Sequence, residues 1–199
     1  MDWNEVFTGE AYRYGTEPAA FVARQMWRVA PGARVLSIAE GEGRNAVWMA
    51  GQGLQVTAVE AAATARAKAA RLAATRGVTV EWIAADLRDY TWPEAGFDAV
   101  LGCFIQFAPP AFRAAIFAGL ARALRLGGLV FLHGFARRQI GYGSGGPVAV
   151  EQLYSLDLLR GAFPGWPVLH QADYDSTLSE GAGHSGRAAL IDFVARKPG

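Results

Sequence analysis

Short apolar runs alternate with helical spacing of apolar residues along most of the chain, starting near residue 34. An apolar run of roughly four to eight residues is typical of a buried strand, and a period near 3.6 residues is typical of an amphipathic helix. The pattern predicts strands at Arg34–Ile38, Gln55–Glu60, Thr79–Ile83, Phe97–Phe104, Leu129–Phe135, Pro167–Asp173 and Ala188–Ala195. It predicts helices at Asn45–Gln52, Thr64–Arg76, Pro110–Leu124 and Ser155–Phe163, with Gly77 as the C-cap of the second.

Strands separated by helices predict a parallel sheet with right-handed crossovers and helices on both faces. The last two strands are joined by the glycine-rich link 181–183 without a helix, which predicts an antiparallel hairpin at one edge. The expected fold class is therefore α/β, with a Rossmann-like, mostly parallel sheet and a C-terminal antiparallel hairpin. At 199 residues the chain is expected to form one domain, residues 1–199.

The first 30 residues carry many aromatic side chains but no strand pattern. We expect Pro18 to begin a helix that runs to about Arg28, with Thr16 as its N-cap. The aromatic residues of this segment are Trp3, Phe7, Tyr12, Tyr14 and Trp27. Two interpretations stay open for residues 1–30: an aromatic lid over a ligand, or a flap that only covers the core.

A glycine-containing loop follows the first predicted strand and precedes a predicted helix. Gly41 and Gly43 allow a tight turn and a close approach of the backbone to a ligand. The helix that begins near Asn45 should point free N–H groups at a carboxylate or phosphate. The expected ligand contacts of this loop are Ser37, Ala39, Glu40, Gly41, Gly43, Arg44 and Asn45.

Carboxylates stand at the ends of the next two strands. Glu60 comes nineteen residues after Gly41, where an acidic side chain can accept hydrogen bonds from both ribose hydroxyls of an adenosine ligand. Asp86 could accept the adenine amino group while Ala85 or Leu87 packs on the ring. Taken singly, Glu60 is also compatible with an exposed strand end and Asp86 with a helix start. The expected contacts here are Glu60, Ala61, Ala85, Asp86 and Leu87.

The glycine loop also satisfies the dinucleotide pattern GxGxxG/A, which raises the alternative of an NAD(P)-dependent oxidoreductase. A dinucleotide needs two mononucleotide-binding halves, and about 100 residues follow the first half without a second loop of this kind. A carboxylate after the third strand suits a ligand with one nucleoside. We therefore expect S-adenosylmethionine (SAM) as the cofactor and S-adenosylhomocysteine as its product.

The chain resembles class I SAM-dependent methyltransferases, and within them it is similar to the family of tellurite-resistance methyltransferases. The resemblance covers nearly the whole chain. It is carried by Trp3-Asn4, Tyr12-Arg13-Tyr14-Gly15, the loop 41–46, Glu60, Asp86, Leu124-Arg125-Leu126-Gly127-Gly128 and the closing segment 188–197. It implies a seven-stranded sheet whose last two strands form the hairpin, and methyl transfer to a small acceptor such as a chalcogen oxyanion or a thiol.

The chain departs from the family pattern near the glycine loop. Ser37 and Ala39 stand where relatives have Asp and Gly, and Leu126 stands where they have Pro. Ser37 supplies no charge near the ammonium of the methionine moiety, and we expect Glu40 to replace that charge in part. A non-catalytic SAM-binding protein therefore stays open as an alternative function.

Candidates for the acceptor side follow the fourth and fifth strands and lie in the late loops. Methyl transfer requires the nucleophile to be aligned with the methyl group, and a soft nucleophile needs no general base. We expect Gln106 near the methyl group and Tyr142 in a glycine-rich pocket wall. His184 and Arg187 resemble the family's substrate-side segment, in which an arginine can orient an oxyanion. His133, inside an apolar strand, is either a core histidine with a backbone partner or a base.

Composition and charge narrow the class of function. The formal net charge is +1 without a basic run, so we expect no nucleic-acid partner. The sequence shows no apolar signal segment and no apolar stretch near the roughly 18 residues of a membrane span, so we expect a cytoplasmic protein without a membrane partner.

The single cysteine, Cys103, is expected in the core. We expect no metal site, since no Cys/His cluster has ligand spacing, and a monomer or homodimer.

Overall fold

The computed structural model describes residues 2–199, so Met1 of the predicted lid segment lies outside the described residues. The strands are β1 (Arg34–Ile38), β2 (Gln55–Glu60), β3 (Glu81–Ala84), β4 (Phe97–Cys103), β5 (Leu124–Phe135), β6 (Val168–Glu180) and β7 (His184–Arg196). The α-helices are α1 (Trp3–Val6), α2 (Ala20–Gln25), α3 (Arg44–Gly51), α4 (Ala63–Arg76), α5 (Pro110–Ala123) and α6 (Leu156–Ala162). Single 3₁₀ turns span Met26–Arg28, Arg137–Gly141 and Val150–Gln152.

The strands form one sheet in the order β3-β2-β1-β4-β5-β7-β6. Strands β1 to β5 are parallel, and β7 pairs antiparallel with both β5 and β6. In the register of the central strands, Ile38 lies beside Val59 on one side and Gly102 on the other. The carboxyl ends of β1, β2 and β4 therefore meet at one edge of the sheet, where open α/β sheets bind ligands.

Helices cover both faces of the sheet. On one face, Phe21 of α2, Ala46 of α3 and Leu72 of α4 belong to one buried cluster. On the other face, Leu120 of α5 and Leu159 of α6 belong to a second cluster. The expected fold class, a Rossmann-like seven-stranded sheet with a C-terminal antiparallel hairpin and helices on both faces, is confirmed. None of the described helices is long and apolar enough to span a membrane.

Strand boundaries were predicted best where an apolar run ends at a turn. β1 and β2 have the predicted bounds, and Gly77 caps α4 with a positive φ of 66° as expected. The hairpin is longer than predicted, because β6 continues to Glu180 and β7 begins at His184. The predicted link 181–183 is thus the tight turn of a long two-stranded ribbon.

The N-terminal helices differ from the prediction. Thr16 as N-cap is wrong, since α2 begins at Ala20 with Ala19 at the cap position. The backbone N–H of Ala19 donates instead to Oδ1 of Asn45, 2.9 Å away in α3. This cap comes from a distant part of the chain, which is why local sequence pattern placed it wrongly. The short helix α1 was not predicted; the carboxylate of Asp2 caps it by accepting from the Asn4 N–H at 2.8 Å.

Candidate functional site

The glycine loop turns through left-handed backbone conformations at the carboxyl end of β1. The φ angles are +64° at Gly41 and +88° at Gly43. A Cβ atom on Gly43 would lie 2.7 Å from Cβ of Ala69, so the contact between this loop and α4 requires glycine. A Cβ on Gly41 would meet the ring of Phe7 at 3.4 Å. The loop surface at Gly41 is therefore covered by a side chain of the N-terminal segment.

Glu60, at the end of β2, has its carboxylate fixed against this loop. Its Oε2 accepts the Gly41 N–H at 2.8 Å and its Oε1 accepts the Ala62 N–H at 2.7 Å. The residue is 6% exposed. An ionised carboxylate offers about four acceptor positions, so one on each oxygen is left for a ligand hydroxyl. This geometry suits the predicted ribose contact.

Glu40 closes the N-terminus of α3 with its own carboxyl group. The Ala46 N–H donates to Oε1 at 2.7 Å, and the Ser37 hydroxyl donates to Oε2. Burial raises the pKa of Glu40 to about 7, although these hydrogen bonds and the Arg44 charge oppose the rise. The expectation that this helix presents free N–H groups to a ligand is therefore wrong at Ala46, because the protein's own carboxyl group occupies that donor.

Ala39 adopts a backbone conformation that favours glycine. Its φ is +46°, in the left-handed region. An L-residue pays roughly 1–2 kcal/mol there because Cβ crowds the following carbonyl oxygen. A glycine at this position would avoid that cost.

The next strand end brings Asp86 to the same edge. β3 aligns Ala84 with Glu60, and Asp86 follows two residues later. Its carboxylate accepts from the backbone N–H and the guanidinium of Arg88, both at 2.9 Å, and its side chain is 42% exposed. Leu87 is buried in the core, Ala85 is half-buried and Ala61 is exposed. The carboxylate of Asp86 is partly exposed two residues after β3, and the adenine contacts stay a prediction.

Arg44 and Asn45 use their side chains to hold neighbouring segments. The guanidinium of Arg44 donates to the Tyr14 carbonyl at 3.0 Å and to Glu180 at 2.9 Å. Burial raises the pKa of Glu180, but His184 and Arg44 together outweigh it and hold the pKa at about 2. Arg44 therefore ties the glycine loop to both the N-terminal segment and the hairpin, and its predicted cofactor contact stays a prediction.

The N-terminal aromatic residues lie over the glycine loop. Phe7 is buried, its ring stacks on Trp3 with centroids 5.7 Å apart, and Trp3 meets Phe107 edge-on at 6.2 Å. Phe107 follows β4, so Trp3 reaches from the glycine loop towards the next strand end. This placement is the one that a lid requires, and opening on ligand binding stays a prediction.

A buried ion pair fixes the base of this segment. Lys68 Nζ lies 2.7 Å from Glu42 Oε1 and also donates to the Ala11 carbonyl at 2.8 Å. The other Glu42 oxygen accepts the Arg13 N–H at 2.7 Å. Glu42, between the two loop glycines, thus holds residues 11–13 against α4. Local spacing in the sequence does not indicate this role of Glu42, because its two partners lie 26 and 29 residues away along the chain.

Gln106 joins the loops that follow β4 and β5. Its Oε1 accepts the Phe135 N–H at 2.6 Å, and its Nε2 donates to the carbonyls of Phe135 at 2.8 Å and Gln152 at 3.3 Å. The side chain is 2% exposed. All three hydrogen bonds join the Gln106 side chain to backbone atoms, so they give it a structural role. Its contact with a methyl group stays a prediction.

The other predicted acceptor residues fall into two separate places. His184 is buried against Tyr14 and Phe104, with ring centroids at 4.5 and 4.2 Å. Arg187 and Tyr142 both bind the exposed Asp175, at 2.8 and 2.7 Å. Arg187 therefore already has a carboxylate partner. It lies on the exposed surface, whereas His184 is buried among aromatic rings.

The polar side chain of His184 lacks a good partner. Its Nδ1 lies 3.5 Å from Glu180 Oε2 and makes no hydrogen bond with the described residues. Burial lowers the pKa of His184, and the nearby Arg44 charge lowers it further, against the opposing effect of Glu180. The ring is therefore a buried, neutral group.

His133 has a carboxylate as its partner. Its Nδ1 lies 2.7 Å from Oδ1 of Asp192 on β7, so the partner of Nδ1 is a carboxylate and not the backbone group of the first interpretation. Asp192 also contacts Arg24 at 3.2 Å and the Tyr174 hydroxyl at 3.2 Å. Local sequence pattern does not indicate this cluster, although an aspartate inside the apolar run of β7 is a signal for a buried polar partner.

The remaining reactive groups are the Cys103 thiol and the side chains that could bind a metal ion. Cys103 is half-buried beside the α2/α3 core, and burial raises the pKa of its thiol. Within residues 2–199, the structure brings together no group of three or more His, Cys, Asp or Glu side chains that could hold a metal.

Comparisons with known proteins agree with this architecture. Residues 35–128 match the family model described as a methyltransferase domain. No curated protein sequence matches the chain. The solved structure described as "Conversion of a Disulfide Bond into a Thioacetal Group during Echinomycin Biosynthesis" has a TM-score of 0.77 at 22% identity, covering 98% of this chain and 92% of the other.

Two further structures share the fold. TehB from Haemophilus influenzae has a TM-score of 0.72 at 15% identity, covering 90% of this chain and 62% of TehB. A SAM-dependent methyltransferase from Methanosarcina mazei has a TM-score of 0.68 at 14% identity, covering 92% of this chain and 99% of the other. The chain therefore has the Rossmann-like methyltransferase fold.

Proposed function

We propose that the protein is a SAM-dependent methyltransferase that acts on a small acceptor. The observation that carries the proposal is the carboxylate of Glu60, held by the Gly41 and Ala62 N–H groups at the carboxyl edge of the sheet. Acceptor positions remain on both oxygens, and two adjacent ribose hydroxyls are the donors that such a carboxylate binds. The domain match over residues 35–128 supports the same cofactor.

The N-terminus of α3 favours SAM over a dinucleotide. In dinucleotide-binding folds the pyrophosphate binds at this helix N-terminus. Here the Glu40 carboxyl group accepts the Ala46 N–H at 2.7 Å and leaves that donor unavailable. A pyrophosphate at this place would also face a carboxyl group that can ionise. The cationic methionine end of SAM has no such conflict.

The residues of the chain would bind and orient the two reactants. SAM supplies an electrophilic methyl group on a sulfonium when it is bound. Glu60 and Asp86 would hold the nucleoside, and Glu40 would lie near the cationic end. Trp3 and Phe7, above the glycine loop, would exclude water from the reactants. Alignment of this kind accounts for much of the rate of a bimolecular displacement.

The acceptor is proposed to be compact, such as a thiol or a chalcogen oxyanion. An oxyanion is the acceptor that the sequence resemblance to tellurite-resistance methyltransferases implies, but Arg187 is already paired with Asp175 at 2.8 Å, so an oxyanion would have to displace that carboxylate. A thiol needs no such exchange. The two classes can be distinguished by Arg187→Lys, which should impair the turnover of oxyanions but leave thiol turnover unchanged.

Calorimetric titration with SAM, S-adenosylhomocysteine and NAD tests the cofactor. We expect micromolar binding of the two adenosyl compounds and none of NAD, followed by turnover with thiol, selenite or tellurite acceptors. NAD binding without SAM binding would refute the proposal. SAM binding without turnover of any acceptor would make the protein a non-catalytic SAM-binding protein.

A further inference from the structure

A cavity of about 340 Å³ lies between residues 14–24 and the β6–β7 hairpin. This volume is within the range of roughly 300–1,000 Å³ that is typical of small-molecule sites. Its walls combine aromatic and polar side chains, among them Tyr14, Phe21, Arg24, His133, Tyr174 and Glu180. None of these residues was assigned to the proposed cofactor site.

The cavity borders that cofactor site through Arg44. The Arg44 guanidinium donates to the Tyr14 carbonyl at 3.0 Å and to the Glu180 carboxylate at 2.9 Å. Both of these residues line the cavity. Arg44 directly follows Gly43 at the start of α3. A molecule in the cavity would therefore lie next to the glycine loop, on the side of the sheet that α2 covers.

His133 lines this cavity and makes a side-chain hydrogen bond through one ring nitrogen, Nδ1. Its Nδ1 lies 2.7 Å from Asp192 Oδ1, so in the neutral ring the proton resides on Nδ1. Nε2 is then the acceptor, and the side-chain hydrogen bond of His133 in the described structure uses Nδ1 instead. The ring plane is fixed by stacking on Phe21, with centroids 5.0 Å and planes 8° apart.

The Nδ1 side of this ring faces the Asp192 carboxylate, which several other side chains also contact. Burial raises the pKa of Asp192, but His133 and Arg24 outweigh it, so the pKa lies below its usual range and the group stays ionised. From β6, His170 and the Tyr174 hydroxyl approach the same carboxylate at 3.5 and 3.2 Å. Tyr14, Glu17 and Glu180 also line the cavity, and the buried His184 ring lies against Tyr14 with centroids 4.5 Å apart.

We propose that this cavity is the acceptor site and that Nε2 of His133 is the base that deprotonates a phenol or aromatic thiol bound there. The Tyr14 and Phe21 rings suit a flat acceptor, and a weakly acidic O–H or S–H is what a neutral imidazole can deprotonate. The proposal rests on the proposed function for the methyl donor.

The atoms and charges of the step balance. The acceptor proton moves to Nε2, giving an imidazolium whose charge Asp192 offsets. The electron pair left on the acceptor oxygen or sulfur forms the new bond to the methyl carbon. The pair of the breaking carbon–sulfur bond stays on the donor sulfur, which becomes a neutral thioether. The proton later leaves His133 to water.

Binding of 4-nitrophenol without any cofactor tests the base directly. At a pH where free nitrophenol is neutral, we expect the wild-type protein to produce the phenolate absorbance band, saturating with protein concentration. His133→Asn should lose the band, because the asparagine N–H can keep the bond to Asp192 while Nε2 is gone. His170→Asn is the matched control, since His170 contacts the same Asp192 but does not line the cavity; it should keep the band.

A second measurement does not depend on any variant. The chain has three histidines, so their ring ¹⁵N signals in the wild-type protein can be assigned. The proposal predicts an Nδ1–H tautomer for His133 and a shift of its Nε2 signal on addition of nitrophenol.

Three results would each overturn the proposal: no binding of nitrophenol, an unshifted Nε2 signal, or a phenolate band in His133→Asn equal to that of the wild-type protein. SAM titration is independent of these results: SAM binding without a phenolate band refutes this site alone, and absence of SAM binding refutes the proposed function.

Discussion

Replacing Glu60 by alanine should weaken both the cofactor affinity and the fold. From sequence alone, this substitution would leave the fold intact. In the structure, however, the carboxylate accepts hydrogen bonds from the N–H groups of Gly41 and Ala62, at 2.8 and 2.7 Å. Its loss therefore acts on the glycine loop even when no ligand is bound.

The size of each effect follows from the hydrogen bonds lost. A buried donor left without a partner costs about 1–3 kcal/mol, and two donors are affected here. Because the smaller alanine side chain lets water approach part of the space, we expect the free energy of unfolding to fall by about 2–4 kcal/mol. The lost charge-assisted bonds to ribose should cost about 1.5–3 kcal/mol more in binding, which is roughly a 10- to 150-fold rise in the Kd for SAM.

Urea unfolding and calorimetric titration measure the two effects separately. Glu81→Ala is the matched control, because Glu81 is an exposed carboxylate at the amino end of β3 that accepts from the Thr57 hydroxyl at 2.6 Å. It should leave the SAM affinity unchanged. A folded Glu60→Ala protein with wild-type SAM affinity would refute the ribose assignment, and unchanged stability would refute the anchoring of the loop.

Four other predictions concern the glycine loop and the segment above it. Ala39→Gly should raise the free energy of unfolding by about 1 kcal/mol, since it relieves the left-handed φ of +46°; a lower thermal midpoint would contradict this. Glu40 has a folded-state pKa of about 7 against an ordinary value of 4.5, so the folded state holds a proton that the unfolded state has released. Stability should therefore fall by on the order of 3 kcal/mol as pH rises from about 4.5 through 7, and Glu40→Gln should remove this component from urea unfolding measured over that range. Lys68→Met leaves Glu42 without its ion-pair partner, so it should lower stability by about 3–5 kcal/mol and speed proteolysis within the first 20 residues. SAM should slow that cleavage in the wild-type protein, and equal rates with and without SAM would argue against a lid.

The fold could be predicted where burial alone sets the sequence pattern. β1 and β2 are buried along nearly their whole length, so their apolar runs mark both ends. β6 pairs with β7 alone at the edge of the sheet, and most of its residues are at least partly exposed. Its length is determined by hydrogen bonds to β7 rather than by apolar residues, so the apolar pattern ended too early.

The site could be predicted where function depends on local spacing. Glu60 and Gly41 are nineteen residues apart in one strand–helix–strand unit, and the structure joins them by a hydrogen bond. His133 and Asp192 are 59 residues apart and meet only because β5 and β7 are neighbours in the sheet. Side-chain pairs of this kind need the strand order, which the sequence pattern does not contain.

Ser37 and Glu40, at the end of β1, form one arrangement. Ser37 carries no charge, but its hydroxyl donates to the carboxyl group of Glu40, which places an acidic group beside the strand end. This group is different from an aspartate on the strand, because burial raises its pKa to about 7 and the Ala46 N–H binds its other oxygen. A cation nearby favours the ionised form of a carboxyl group. Binding of the cationic end of SAM would therefore favour the ionised form of Glu40. In the free protein, with a pKa of about 7, the same carboxyl group is neutral for much of the time and caps α3.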